Sequence, residues 1–350
     1  MIRFFIMLLV AAGIAEILSL RHSLSGVEYD LTPSKTIVEP DEKFDLIAVI
    51  TNRKRRFIPF LRLEEDVPLD LECASRIEIE NLSERRGTLK SSAYIMPRQR
   101  LIRKTQVSLS KRGRFLFKGA FLAGGDFLGF SERGHKTELV REVIVLPRRA
   151  DCAFSQNIIG GLMGDESVNR FMNEDPMLTI GFRDYTGREP MRRISWMRSA
   201  REGHLMVREP DHTIERTALV VVNTNTFAFG THGEGLLEKC FSMARTVMEA
   251  LEEMRIPYAF HSNLSPQQPN VGEGLGTAHL NSALLALGGA DYGFSESVWA
   301  LIDRVSLSAD SGKTVILITP MRQDLKNAEI ERIALRTGME PMIYYAMEVE

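Results

Sequence analysis

From Gly26 to Pro147 the chain is a succession of short apolar runs with no helical period to interrupt them, and this restricts the stretch to β-structure. The runs "KFDLIAVITN", "SRIEIEN", "TQVSLS", "GRFLFKGAFLAGGDF" and "EVIVLP" are rich in Val, Ile, Leu and Phe, and charges or Gly/Pro breaks separate them. Many short strands with turn signals predict a β-sandwich over residues 26–148. Gly119, Gly124, Gly125 and Gly129 suit tight turns or bulges. No helix follows them, as a phosphate-binding glycine fingerprint would require. The acids Glu64, Glu65 and Asp66 read as a solvated face.

The pattern changes at Thr217. "TALVVVNTNTF" is a buried-strand run, and "GEGLLEKCFSMARTVMEALEEMR" is a long helix with Leu237, Phe241, Ala244, Val247, Met248 and Leu251 near one face. Further strands ("IPYAFHSN", "KTVILITP", "EPMIYYAMEV") alternate with further helices ("TAHLNSALLALGG", "SESVWALIDRVSL", "KNAEIERIALRTG"). This alternation predicts a doubly wound α/β sheet with a parallel core over residues 217–350. Ligands of such sheets sit outside the carboxyl ends of the strands, so the loops after Val222, His261 and Ile318 are the ones to inspect. A charged region, residues 149–216, connects the two halves. The 350 residues thus suffice for two or three domains, each with its own core.

The first 22 residues raise a separate question. Phe4 to Leu20 is apolar except for Glu16 and Ser19, a length at the lower edge of the roughly 17 to 25 residues that span a bilayer. A signal peptide would start from Arg3 and be cut after Ala15, releasing an exported binding module. A transmembrane anchor would run on to Arg21 and His22, and the apolar residues beyond Ala15 favour it. Arg3 on one side, and Arg21, Lys35 and Lys43 on the other, favour a cytoplasmic body. The expectation is therefore a single-pass protein of the cell membrane.

Few catalytic chemistries fit. A formal charge of −2 gives no global field for nucleic acid. The three cysteines, Cys73, Cys152 and Cys240, have no CxxC spacing and read as buried free thiols. The histidines form neither HxxxH nor HExxH, and GxSxG is absent. "SGKT" at Ser311–Thr314 precedes a strand where a phosphate loop would precede a helix. The tip "NTNTF" after Val222 offers neutral oxygens only, whereas a hard dication wants at least one carboxylate, and Asp324 alone is near in the later loop. Asn and Thr there are better read as caps of turns and helix starts. No cofactor and no nucleic-acid partner are expected.

The remaining concentration of chemistry is "RRISWMRSAREGHLMVREPD", Arg192 to Asp211, with Arg183 and Arg188 upstream. Acids alternate with the arginines, including Asp184, Glu189, Glu202, Glu209 and Asp211, which argues against a nucleic-acid stripe. Guanidinium forks suit carboxylate pairing, and Trp196 suits stacking on one of them. The network either bolts neighbouring regions together or presents a docking face. If Trp196 anchors a junction, Trp196→Ala costs on the order of 3 kcal/mol. At an exposed position the change stays within about 0.5 kcal/mol. An enzyme or binding protein using Arg183, Tyr185 and Arg201 to hold an anionic ligand is the competing reading.

The stretch Gly181–Asp211 resembles the signature of the bacterial DUF58 proteins, roughly G-x-R-x-Y-x-x-G-D-x-x-R-x-I-x-W-x-x-S-A-R-x-G-x-L. Gly181, Arg183, Tyr185, Gly187, Arg193, Ile194, Trp196, Ser199, Ala200, Arg201, Gly203 and Leu205 match it. The resemblance implies an α+β multidomain chain: an N-terminal membrane helix over 1–22, a β-rich domain over 26–148, the signature region over 149–216 and a von Willebrand factor A-like domain over 217–350. It also implies a non-enzymatic adaptor acting with a MoxR-type AAA+ ATPase, with Arg183, Asp184, Tyr185, Gly187, Arg193, Trp196, Ser199 and Arg201 as the interaction residues. Arg188 stands where the pattern has Asp. Asn223 and Asn225 stand in a degenerate metal motif, of which Thr277 resembles the middle threonine.

Overall fold

The computed structural model describes Met7 and residues 24–73, 79–83, 86–125, 132–150, 173–187, 189–213, 217–228, 230–265, 270–308, 313–338 and 340–348. The chain divides into two compact units, one ending at Arg148 and the other beginning at Arg149, with Leu287–Gly289 counted in the first.

Between residues 24 and 148 the described elements of the first unit are strands. A four-stranded sheet has the order β1 (Val27–Pro33), β3 (Phe44–Asn52), β8 (Arg100–Leu109), β5 (Leu71–Cys73). A six-stranded sheet has the order β2 (Ile37–Val38), β10 (Glu132–Val145), β9 (Gly113–Gly125), β4 (Ile58–Pro68), β7 (Arg86–Ile95), β6 (Ile79–Ser83). All pairings are antiparallel except β2 with β10. Side chains of a strand alternate between faces, and β3 follows this, burying Phe44, Leu46, Ala48 and Ile50. These pack with Leu61, Leu63 and Val67 of β4 and with Phe117 and Leu122 of β9 into one core between the sheets.

The same period carries a charge into that core. Glu65 keeps step with Leu61 and Leu63, so its side chain points inward and is 1% exposed. The Tyr29 hydroxyl donates to its Oε1 at 2.8 Å. Arg103 pairs with its Oε2 and also donates to Ser91 Oγ. Burial pushes the Glu65 carboxyl up, against the pull of the Arg103 charge, and burial pushes the Tyr29 hydroxyl up as well. The acidic run is therefore not a uniform solvated face. Glu64 pairs with Arg62 at 3.4 Å and Asp66 with Arg86 at 2.7 Å, while Glu65 between them is internal.

The second unit has two parts. An antiparallel ribbon joins β11 (Asn173–Asp184) to β12 (Met206–Thr213), with a 3-10 turn (Met191–Arg193) and helix α1 (Trp196–Glu202) between them. After it comes a five-stranded sheet of order β15 (Val271–Gly274), β14 (Tyr258–Ser262), β13 (Ala218–Val222), β16 (Thr314–Thr319), β17 (Met342–Tyr345). Strands β14, β13, β16 and β17 are parallel, and β15 runs against β14. The accompanying helices are α2 (Gly230–Glu253), α3 (Thr277–Gly288), α4 (Val298–Ser308) and α5 (Asn327–Thr337). Every residue of β13, β14 and β16 is buried, as expected of strands covered on both faces. On α2 the apolar set Leu237, Phe241, Ala244, Val247, Met248 and Leu251 is buried throughout.

The expected fold class is corrected in two respects. Strand accounts for 44% and helix for 28%, so the protein is mostly β, which conflicts with the doubly wound von Willebrand factor A-like domain expected over residues 217–350. The second unit's sheet is mixed, and of the five helices among the described residues α1 belongs to the ribbon. The long apolar period of α2 weighs heavily in a sequence, whereas most strands here are short and numerous. Secondly, no helix among the described residues is long and apolar enough to cross a membrane, which conflicts with the single-pass localisation and with the N-terminal membrane helix expected over residues 1–22. That expectation rested on a run at the lower length limit with Glu16 inside it, and an ionisable group in hydrocarbon is costly. Apart from Met7, the run lies outside the described residues.

Candidate functional site

The signature residues fall on the ribbon, and most of their chemistry is spent holding it together. The Tyr185 backbone N donates to the Leu205 carbonyl at 2.8 Å and Ser195 N to the Met206 carbonyl at 2.8 Å, closing the ribbon on both sides of α1. The Ser199 hydroxyl is buried, donating to the Ser195 carbonyl at 2.9 Å and accepting from Met206 N at 2.8 Å. One side chain thus ties α1 to β12. Gly203 ends α1 in the left-handed region, φ 77°, and Gly187 turns the preceding loop at φ 87°; both conformations disfavour a side chain. Those two glycines and the serine of the signature are structural.

The ionic groups pair locally. Arg183 meets Glu189 at 2.7 Å, and Glu189 also accepts the Thr186 hydroxyl at 2.8 Å and the Thr186 N–H at 3.1 Å. The Thr186 hydroxyl, followed by Arg183, holds the Glu189 carboxyl down at about 2. Asp184 lies 2.8 Å from His204 Nε2. Arg198 reaches Glu202 at 3.8 Å and lies 5.0 Å from the centre of the Phe182 ring. Among the described residues, the ring contact of this guanidinium is with Phe182 and not with Trp196. Arg193, in the 3-10 turn, is half-buried, and Arg201 on α1 is exposed. Arg188 lies outside the described residues, as do the side chains of Glu209 and Asp211.

Among the charged groups the ribbon also displays large apolar side chains. Trp196 is 62% exposed and Met197 79%, with Met191 before them and Leu205 after them also exposed. The indole does not contribute to a core; it is displayed.

The carboxyl end of the parallel strands is built differently. Asn223 and Asn263, at the tips of β13 and β14, are fully buried. Asn223 Nδ2 donates to the Asn225 carbonyl at 3.1 Å and to Thr319 Oγ1 at 3.0 Å. Its Oδ1 accepts from Asn225 N and from Asn263 Nδ2, each at 3.0 Å. Asn263 donates also to the Glu296 carbonyl at 3.2 Å, and its Oδ1 accepts from Thr224 N at 2.8 Å, with the Thr224 hydroxyl 3.1 Å away. Each amide thereby uses its two donors and both lone pairs of its oxygen. Asp324 is also committed, accepting from Phe227 N at 2.9 Å and Met321 N at 3.0 Å. A dication would have to break these bonds to reach an oxygen, and among the described residues no group of three His, Cys, Asp or Glu stands close enough to hold one.

Thr277 is not part of this cluster. It opens α3 just after β15, whose Gly274 pairs with Tyr258 at the start of β14, whereas Asn263 follows the end of β14. A strand length of roughly 15 Å separates the two ends. Beside the amide cluster, a cavity of about 410 Å³ is lined by residues including Thr224, Thr226, Glu234, Leu237, Tyr292 and Phe294. Arg183, Tyr185 and Arg201 are not among its lining residues, so the convergence required for an anionic-ligand pocket is not found there.

Sequence reasoning pointed to the loop after His261 but singled out neither Asn263 within it, nor the side chains of His261 and Arg304. His261 is buried, with no partner for Nδ1 among the described residues, and burial, then the Arg304 cation, hold its pKa below the ordinary histidine range. The free cysteines Cys73 and Cys240 are half-buried and buried respectively, and burial pushes both thiols up; Cys152 lies outside the described residues.

No protein-family model matches the chain, and no curated protein does. Among solved structures it is similar to a cohesin module from a Clostridium perfringens family 33 glycoside hydrolase, at 11% identity and a TM-score of 0.25, over 34% of this chain and 96% of that one. It is similar to the CARDB domain of the Pyrococcus furiosus PF1109 protein at 8% identity and TM-score 0.22, over 34% and 91%. A third likeness is to the sporulation control protein Spo0M of Bacillus subtilis, at 11% identity and TM-score 0.21, over 43% and 58%.

Proposed function

We propose that the chain is a non-enzymatic interaction protein whose Arg/Trp ribbon docks a protein partner, and that the partner is a MoxR-type AAA+ ATPase. The observation that carries this reading is the display of Trp196 and Met197 at 62% and 79% exposure on a helix held in place by other residues. Exposed aromatic and methionine side chains in an arginine-rich stretch have the composition of an interface core. The resemblance of Gly181–Asp211 to the DUF58 signature supplies the class of partner. Here the polar residues of the signature build the platform, and the apolar ones meet the partner.

The test uses the full-length chain and the MoxR-type ATPase of the same organism, both purified, in a pull-down with and without ATP. Capture in at least one nucleotide state is expected, together with at least a tenfold loss in the Trp196→Ala/Met197→Ala double variant. No capture in either state, or capture indifferent to the double variant, would overturn the reading.

A further inference from the structure

One end of the sandwich gathers positive charge and exposed rings. The β3–β4 loop reads Asn52-Arg53-Lys54-Arg55-Arg56-Phe57 and the β7–β8 turn reads Met96-Pro97-Arg98-Gln99-Arg100, so the two segments hold six cationic side chains and no carboxylate. They are one surface, because backbone bonds stitch them together. Asn52 N donates to the Gln99 carbonyl at 2.9 Å and Arg98 N to the Lys54 carbonyl at 2.9 Å. The buried Asn52 side chain donates to the Arg56 carbonyl at 2.9 Å and to the Met96 carbonyl at 3.0 Å. A neutral amide thus fixes the loop bearing the cations. Arg55, Arg56, Arg98 and Arg100 are exposed, and Arg53 pairs with Glu28 at 2.8 Å. Burial and the neighbouring Arg56 charge hold the Lys54 ammonium below the usual lysine range, as crowded like charges do.

Apolar side chains are interleaved with this charge. Phe57 is 41% exposed, Tyr94 65% and Met96 51%. The rings of Phe57 and Tyr94 lie 6.4 Å apart and are tilted by 53°. Cations alone would suit any polyanion. Cations around a cluster of rings and a thioether suit a surface with negative groups outside and hydrocarbon a few ångströms beneath. A nucleic acid is less well served, since a tilted pair offers no flat slot for a base.

We infer that this end of the sandwich is a peripheral docking surface for a bilayer bearing anionic headgroups, with Arg55, Arg56 and Arg98 contacting phosphates or carboxylates and Phe57, Tyr94 and Met96 entering the interface. It needs no spanning helix, and it is independent of the ribbon and its partner.

Vesicle co-sedimentation of the full-length chain tests this. Phosphatidylcholine vesicles give the baseline, which includes any apolar contribution from elsewhere in the chain, and vesicles with 30% phosphatidylserine give the signal. Partitioning onto the anionic vesicles is expected to exceed the baseline by at least about tenfold at 0.1 M salt and to fall back toward it at 0.5 M. The variant Arg55→Glu/Arg56→Glu/Arg98→Glu is expected to abolish the gain, at about fivefold per cation, with unchanged circular dichroism. If the reversals disturb folding, Arg55→Gln/Arg56→Gln should still lower the gain several-fold. Phe57→Ser/Tyr94→Ser should lower it while leaving its salt dependence. Equal partitioning onto both vesicle types, or a phosphatidylserine gain indifferent to the arginine variants, would overturn the inference. So would binding confined to a single-stranded oligonucleotide or an acidic peptide.

Discussion

Two buried polar clusters, one in each unit, solve the same problem in opposite ways. In the sandwich a carboxylate is taken inside and answered with a guanidinium and a phenol, Glu65 with Arg103 and Tyr29. At the tips of β13 and β14 only neutral groups are taken inside, and Asn223, Asn263, Thr224 and Thr319 satisfy one another. Desolvating an ion pair is expensive and its attraction only roughly compensates, so the charged cluster adds little net stability and is costly to break. The amide cluster costs less to bury, and it leaves no lone pair for a guest. The first cluster fixes how two sheets face one another. The second ties the tips of β13 and β14 together beside the cavity that Thr224 helps to line.

Removing one partner from each cluster should show the difference. Glu65→Ala leaves Arg103 and the Tyr29 hydroxyl facing an apolar core, and the expected loss is about 3 kcal/mol, at the low end for a broken buried pair because Arg103 is 24% exposed. The urea midpoint followed by far-ultraviolet circular dichroism measures it. Glu65→Leu/Arg103→Met should recover most of the loss. If the double variant is no better than the single one, the cluster is worth more than its desolvation cost. Asn263→Ala comes next, at about 2 kcal/mol, since it strips Thr224 N and Asn223 Oδ1 of a partner each. Both tryptophans, Trp196 and Trp299, belong to the second unit, so fluorescence-detected unfolding reads this change directly.

The two clusters were unequally legible in the sequence. The inward position of Glu65 is written there, since Leu61, Leu63, Glu65 and Val67 keep a period of two, but three consecutive acids conceal it when read as composition. The topology points to the loop that holds Asn263, but nothing local singles out this side chain, whose partner Asn223 lies 40 residues away and whose residue type is common in loops. Thr277 opens a helix, as its position suggested, but at the other end of the sheet from Asn223, for a topological reason. The strand β15, "VGEG", is short and glycine-rich, carries no strand signature and runs antiparallel to β14, returning the chain to the amino end before α3 begins. The buried face of α2 was readable because its period persists over 24 residues. On the ribbon, the matched residues could be located but not sorted, because whether an arginine or a tryptophan faces inward depends on pairing across β11 and β12.

Acid should separate the two units further. His261 in the folded state sits below the ordinary histidine value, chiefly through burial and then through Arg304, with Lys313 adding to this and Asn270 opposing it. The unfolded chain therefore binds a proton first as pH falls below about 6.5. The stability of the second unit is full above that value and declines beneath it, by at most about 1.4 kcal/mol per pH unit, until the folded state protonates too. Glu65 has the opposite sign. Its folded carboxyl is raised, so its contribution is full below about 4.5 and is lost as pH rises through the folded value. Fluorescence-detected urea midpoints between pH 7 and 5 should fall for the wild type and flatten in His261→Gln. An unchanged slope in the variant would remove His261 from the account.

The smallest effect belongs to the most conspicuous residue. Trp196 is 62% exposed, so Trp196→Ala should change stability by no more than about 0.5 kcal/mol, well short of the roughly 3 kcal/mol of a buried anchor. Ser199→Ala, one turn further along α1, removes the hydroxyl that joins Ser195 to Met206 and should cost about 1 kcal/mol or more. The informative quantity is the ratio of the two changes in fluorescence-detected urea midpoints, using the remaining Trp299 for the first variant. A larger loss at Trp196 than at Ser199 would make the indole part of a packed core and leave the ribbon without a displayed face. A loss confined to Ser199 separates platform from display within one seven-residue helix, which is the division of labour that partner docking requires.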